Sequence, residues 1–194
     1  MIAVTNLPSD KDNVRLSATS KFFSIIKFST LLFTQIYTKY IANLSYFHQF
    51  GNVIIPDANK SFSKYVTYLT FCNYFNKTIN NCIPNSVIHL TFGYYFNQSI
   101  NSCIPDSITH LTFGPNFNQT INDCIPDSVI HLTFGCDFNR PINCCISESV
   151  TNLTFGYYFD QNIDELPTSI NNISLRGSYK REISERIMPK VTIR

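Results

Sequence analysis

Apolar residues recur along this chain with one long period. From Val66 onward the pattern V/I-x-x-L-x-F starts at positions 66, 87, 108, 129, 150 and 170, so the first four steps are equal and the fifth is one position shorter. A fixed period of this length is typical of a solenoid, in which each repeat forms one rung of a stack. A final partial start, Val191–Ile193, lies one further period after Ile170. The pattern predicts that equivalent residues of successive repeats lie above one another.

Each repeat divides into a strand and an irregular return. In the second repeat Leu90 and Phe92 alternate with His89 and Thr91, a period of two that predicts a strand with one buried face. An Ile-Pro pair closes the unit and predicts a corner, because proline cannot donate to a ladder. No window within the repeats is long enough or suitably spaced for a helix, so the rungs are expected to stack as parallel strands. A glycine after each strand predicts a turn that needs backbone freedom, at Gly93, Gly114, Gly135 and Gly156.

The return of each unit carries a second signature. Phe-Asn and Ile-Pro recur in register, as at Phe96-Asn97 and Ile104-Pro105. This recurrence resembles the FNIP repeat family, strongly over residues 66–167 and weakly over 170–194. The resemblance implies a leucine-rich-repeat-like parallel β solenoid of about six 21-residue rungs. FNIP proteins are typical of social amoebae and of large DNA viruses that infect amoebae, which implies an amoebal or viral source.

The segment 1–65 lacks this period. Residues 7–23 resemble the later half of an F-box, in which an acidic turn leads into a helix. A full F-box begins further upstream, so the adaptor-binding surface is expected to be incomplete. Residues 25–47 are interpreted as one or two short helices. The resemblance implies contacts to a ubiquitin-ligase adaptor from Leu7, Pro8, Leu16, Phe22 and Phe23.

These patterns predict four segments. Residues 1–47 form a small helical, F-box-like region, and 48–65 form a degenerate first rung or cap that includes Ile55-Pro56. Residues 66–169 hold the FNIP repeats, and 170–194 form a degenerate repeat with a basic cap. That last segment carries six of the fifteen basic residues. Their charges would either prevent the exposed edge strand from pairing with another chain or bind an acidic partner.

Composition narrows the choice of partner and compartment. The net charge is +2 and charged residues are 14% of the chain, which is too little to argue for a nucleic-acid or membrane partner, and neither is predicted. The apolar run 22–33 is interrupted by Lys27 and is shorter than the roughly 18 to 20 residues that span a bilayer. Met1–Pro8 does not read as a secretory signal. We therefore expect an intracellular, cytoplasmic protein, in the host cytoplasm if it is viral.

Two further repeat positions, one occupied by cysteine and one by asparagine, form rows along the predicted stack. Cys82, Cys103, Cys124 and Cys145 recur at one repeat position and each precedes a corner, where a free cysteine packs as a small hydrophobe. Packing is favoured over disulfides, because the predicted Cβ atoms lie too far apart. The second row is expected to bond to turn backbone and, as a ladder of side chains, to one another along the stack; it consists of Asn76, Asn97, Asn118, Asn139 and Asp160.

The outward positions of the strands supply the candidate site. Three histidines share one repeat position, and a flat row of them offers no converging ligand set for zinc, so no metal or other cofactor is expected. The row is interpreted either as a partner-binding surface or as solvated repetition. The predicted face consists of Tyr68, Thr70, His89, Thr91, His110, Thr112, His131, Thr133, Asn152 and Thr154.

The sequence favours binding over catalysis. Carboxylates are scattered, and neither a glycine-rich phosphate loop nor a serine elbow is present, so no enzyme is predicted. We expect a protein–protein interaction module. With the F-box resemblance, it would be the substrate receptor of a ubiquitin-ligase complex. The alternative is a scaffold or decoy that binds protein without recruiting a ligase.

Overall fold

The computed structural model describes residues 66–80 and 82–194 in full, together with the backbone of 36–37 and 52–55. These residues form nine strands in one parallel sheet whose spatial order follows the chain. A 3₁₀ turn, Met188–Lys190, precedes the last strand. The strands are β1 (Ile36–Tyr37), β2 (Asn52–Ile55), β3 (Tyr68–Phe71), β4 (His89–Thr91), β5 (His110–Thr112), β6 (His131–Thr133), β7 (Asn152–Thr154), β8 (Asn172–Leu175) and β9 (Val191–Ile193).

The constant period of the repeats becomes an in-register ladder. Leu90 of β4 pairs with Leu111 of β5, which pairs with Leu132 of β6. In each of these three strands the central leucine is buried and the residues on either side of it are not. The predicted solenoid of parallel, one-sided strands is therefore confirmed.

Two columns of phenylalanine fill the interior. Phe92 and Phe113 stack with ring centroids 5.3 Å apart, and Phe113 and Phe134 at 5.5 Å. The second column comes from the Phe-Asn motif, where Phe96 and Phe117 lie 6.1 Å apart. These five rings are at most 2% exposed. Each rung therefore buries its phenylalanines by stacking them on those of the adjacent rungs. A change in repeat length would break this stacking, which explains why the period is constant.

The glycine after each strand has a different role from the predicted one. No described glycine has a positive φ, so backbone freedom is not what the position requires. A Cβ on Gly114 would lie 2.0 Å from the carbonyl oxygen of Gly93, and a Cβ on Gly135 would lie 2.1 Å from that of Gly114. The position needs glycine because adjacent rungs approach too closely there for any side chain. The positive φ values occur instead in the return, at Ser102, Asp123 and Cys144.

The amino-terminal strands follow a shorter stride than the repeats. Asn52 of β2 pairs with Tyr68, and Ile36 of β1 pairs with Val53. A strand thus lies within the segment read as a degenerate rung. The prediction of helix over 25–47 is wrong for Ile36–Tyr37, whose β-branched and aromatic side chains favour a strand. The rest of that segment and the F-box-like residues 7–23 lie outside the described part of the chain.

The last rung is also shorter than the period suggests. Val191 pairs with Ile173 rather than with Ile170, so the predicted register of this partial repeat is wrong. The 3₁₀ turn at Met188–Lys190, which contains Pro189, leads directly into β9 and replaces the longer return. Among the described residues, no helix is long and apolar enough to span a membrane.

Candidate interaction face

The sheet has one face turned away from the core, and the predicted site residues lie on it. We call it the sheet face, defined by the residues that flank the buried leucine of β3 to β7. Its first row is half-buried to exposed, with Tyr68 37% exposed. Its second row is half-buried throughout. The two rows are Tyr68, His89, His110, His131, Asn152 and Thr70, Thr91, Thr112, Thr133, Thr154.

Four rings of the first row form a stacked column. Ring centroids are 4.1 Å apart for Tyr68 and His89, with 9° between the planes. His89 and His110 follow at 4.0 Å, and His110 and His131 at 4.3 Å. Because the rings face each other, their nitrogens cannot converge on one ion. No group of three or more metal-ligating side chains is found within residues 66–80 and 82–194.

Hydrogen bonds fix the orientation of this row. One nitrogen of His110, Nδ1, lies 2.8 Å from Thr109 Oγ1. The amide of Asn152 donates to Thr151 Oγ1 in the same way, at 2.8 Å. Asn172 donates to Asn152 Oδ1 at 2.9 Å and continues the row onto β8. The sheet face is thus ordered before any ligand arrives.

The sheet face carries no carboxylate, ammonium or guanidinium group. Strands β3 to β8 contain no aspartate, glutamate, lysine or arginine. Burial lowers the pKa of His89, and the charge that a protonated His131 carries two rungs away lowers it further. Burial also lowers the pKa of His110, which has an imidazole on either side. Neutral hydrogen-bonding groups therefore dominate this surface.

The Asn row lies in the return and is structural. Asn97 Oδ1 accepts the backbone N–H of Asn118 at 3.0 Å, and Asn118 Oδ1 accepts that of Asn139 at 3.1 Å. Asp160 Oδ1 continues the row by accepting the N–H of Lys180 at 3.4 Å. The predicted bonding of this row to turn backbone is confirmed, whereas within the described residues its side chains bond to the backbone of the next rung and not to one another.

The cysteine row is structural as well. Cys124 is buried, and its thiol donates to Asn101 Oδ1 of the preceding rung at 2.9 Å. Cys145 donates to Asn122 Oδ1 at 3.1 Å. Burial raises the pKa of Cys82 to about 11, which disfavours the thiolate. Cys103 and Cys124 are buried in the core, and Cys82 and Cys145 pack against it partly buried, as the packing role predicts.

The basic residues near the carboxyl end contact the last full rung. Lys190 Nζ donates to the carbonyl of Thr168 at 2.9 Å, and Arg186 donates to the carbonyls of Asp164 and Leu166. Arg181 donates to the carbonyl of Asp160 and forms an ion pair with its side chain. These side chains thereby provide hydrogen-bond donors to backbone carbonyls of the last full rung, because no further regular rung is present to bond to them.

A group of exposed tyrosines was missed by reasoning from the sequence. They lie in the loops that follow the strands, and Tyr74 is 84% exposed. Tyrosine occurs both in cores and on surfaces, so residue type alone did not locate them. The available signal was their position in the turn predicted after each strand, because side chains of surface turns are commonly exposed. They are Tyr74, Tyr94, Tyr95, Tyr157 and Tyr158.

Comparison with known proteins agrees with this architecture. The chain is similar to the protein in "The crystal structure of CroV588 a novel circular LRR protein structure", with a TM-score of 0.59 and 33% identity. The similarity covers 75% of this chain and 27% of that one, so this chain spans about a quarter of its length. The search of curated proteins returns no significant match. The FNIP repeat family matches residues 58–95, 96–137 and 138–165, more than half of the sequence, and the chain therefore belongs to the FNIP repeat family.

Proposed function

We propose that this chain is a protein-binding module whose sheet face receives a folded or extended partner protein. The observation that carries the proposal is the stacked column from Tyr68 to His131, with centroids 4.0 to 4.3 Å apart. A surface whose side chains are already ordered loses little conformational entropy when it binds. Solenoids of stacked repeats commonly present such extended surfaces to partners.

The composition of the sheet face supports a protein as the partner. Imidazole, hydroxyl and amide groups alternate with one another and both donate and accept hydrogen bonds. With no cationic side chain on β3 to β8, the sheet face lacks what a nucleic-acid backbone requires. Leucine-rich-repeat-like solenoids are typically non-catalytic, which is consistent with binding.

Site-specific photo-crosslinking tests the proposal. A benzophenone amino acid is placed at His110 in one variant and at the exposed Asp106, in the turn before β5, in a matched control. We expect one protein to be crosslinked from position 110 and not from 106. That protein, once purified, should bind the wild-type chain and lose about tenfold or more in affinity with His89→Ala and His131→Ala together. Equal crosslinking from both positions would reject the sheet face.

The finer form of the proposal is that the bound protein is presented to a ubiquitin ligase. Its support is the F-box resemblance of residues 7–23, which implies adaptor contacts from Leu7, Pro8, Leu16, Phe22 and Phe23. Co-purification of the adaptor with the whole chain, lost when residues 1–23 are deleted, is the expected result. Retention of the sheet-face partner without any adaptor would favour the scaffold or decoy instead.

A further inference from the structure

The loops that follow the strands form a second ordered surface, which we call the loop edge. From the loop after β4 to the loop after β7, each loop donates a backbone N–H to the loop before it, and after β8 the Ser178 hydroxyl donates to the Tyr157 carbonyl instead. Asn116 N–H bonds to the carbonyl of Tyr94 at 3.1 Å, and Asp137 N–H bonds to that of Pro115 at 2.8 Å. The loop edge is thus a continuous backbone ladder outside the sheet, and the side chains on it are carried by a rigid support.

Two groups of exposed tyrosines stand on the loop edge. In the first cluster Tyr74 and Tyr95 stack at 5.7 Å, and Tyr94 meets Tyr95 edge-on at 4.8 Å. In the second cluster Tyr157 meets Tyr158 at 5.1 Å with 87° between the planes. Exposed fractions run from 46% to 84%. Rigid, exposed aromatic side chains of this kind are concentrated at protein interfaces.

An arginine pair borders the second cluster. Leu175 pairs with Ile193, so the residues that follow them, Arg176 and Arg194, lie one rung apart. Neither forms an ion pair with a described residue. A shallow cavity of about 590 Å³ opens beside them. It is lined by Cys136, Tyr157, Arg176, Gly177, Ser178 and Arg194.

This pairing favours an anionic ligand group. Guanidinium groups bind carboxylates through paired, charge-assisted hydrogen bonds, and a ligand carboxylate would offset the positive charge of the two arginines that line this cavity. From the loop after β3 to the residue after β9 there are six steps of roughly 4.8 Å, or about 29 Å. An extended peptide covers that distance with about nine residues.

We propose that the loop edge is a docking surface for an extended acidic segment of a partner protein. Its carboxylates bind the arginine pair, and its apolar side chains pack against the two tyrosine clusters. The charge of the arginine pair selects the acidic end, and the tyrosines supply apolar contact area. This surface is separate from the sheet face and does not depend on the function proposed for it.

Selection from a phage-displayed library of random nonapeptides, performed on the full chain, tests the proposal. We expect the recovered peptides to carry aspartate or glutamate towards one end and aromatic, aliphatic or proline residues towards the other. Synthesised with a fluorescein label, they should bind about tenfold more weakly to Arg176→Gln and to Tyr158→Ser. Tyr158→Phe keeps the ring and should retain most of the affinity.

Two matched variants separate the loop edge from the rest of the molecule. His110→Asn changes the sheet face and Asp106→Asn changes an exposed turn, and both should leave the dissociation constant unchanged. Thermal unfolding of every variant checks that the fold is kept. The proposal is overturned if no peptide is enriched, if the enriched peptides lack acidic residues, or if His110→Asn abolishes binding. Binding of neutral glycans instead of peptides, lost in Tyr158→Ser, would also overturn it.

Discussion

Asn97 accepts a hydrogen bond at Oδ1 from the backbone N–H of Asn118, its counterpart in the next rung, at 3.0 Å. The same oxygen accepts a second bond from Gln119 Nε2 at 2.9 Å. A single side-chain atom thereby satisfies a backbone donor of the next rung, where the irregular return has no strand partner. The Asn row therefore does in the return what the parallel ladder does in the sheet.

Removing this acceptor should destabilise the stack. Asn97→Ala leaves the Asn118 N–H without its partner, so we expect the free energy of unfolding to fall by about 1–3 kcal/mol. Asn97→Asp keeps an acceptor oxygen, as Asp160 does at the equivalent position, and should lose less. Urea denaturation followed by far-UV circular dichroism measures both. An alanine variant as stable as the aspartate variant would contradict the role assigned to the row.

Close approach of the rungs makes a sharper prediction. Gly114→Ala puts a Cβ 2.0 Å from a backbone oxygen of the preceding rung, so a rung must move and stability should fall by about 3 kcal/mol or more. Gly177→Ala is the matched control, because its nearest neighbour would lie 4.0 Å away. Thermal melting of the two variants should differ widely. Similar melting temperatures would show that the rungs separate at little cost.

The histidine column should make stability depend on pH. The folded-state pKa values of His89 and His110 are lowered from 6.5, so the unfolded chain binds more protons between the lowered and the ordinary values. The free energy of unfolding should therefore fall as the pH drops below about 6.5. Replacing both residues with glutamine should flatten this part of the profile relative to Asn152→Gln. A profile unchanged by the double substitution would contradict the prediction.

Thiol reactivity should separate the cysteines into two groups. Burial raises the pKa values of Cys82 and Cys103, so few of these thiols ionise at pH 8, whereas Cys136 and Cys144 are exposed. Iodoacetamide should label the exposed pair first, as read by peptide mass spectrometry. Guanidinium chloride should remove the difference. Labelling of Cys82 as fast as Cys136 in the folded chain would refute the packing role of the row.

Some features of the fold could be predicted because they depend on period alone. The recurrence of Leu90, Leu111 and Leu132 at a constant stride gave the register, the buried face and the Phe columns. Where the stride changes, prediction was poorer. Val191 is an example, because valine is compatible with the first position of the repeat, held by Ile170, and with the Leu position, held by Ile173. The shorter return that contains Pro189 placed it opposite Ile173.

The candidate site divides in the same way. Alternation within each strand was sufficient to predict which side chains point away from the core. It could not predict that Tyr68 and His89 would stack at 4.1 Å, because ring orientation depends on contacts between rungs. The loop edge was missed because Tyr94 and Tyr157 follow glycines in loops, where neither alternation nor helical spacing applies.

The sequence by itself determined the repeat, its family signature and the division between inward and outward positions, because each of these follows from residue type at a fixed interval. Only the tertiary structure decided what the interval brings together. The glycine at position 114 is required by a backbone oxygen of the preceding rung, and Arg176 and Arg194 are neighbours because a short return pairs Leu175 with Ile193. Contacts between rungs depend on distances in space, which residue spacing predicts only while the length of the return stays constant.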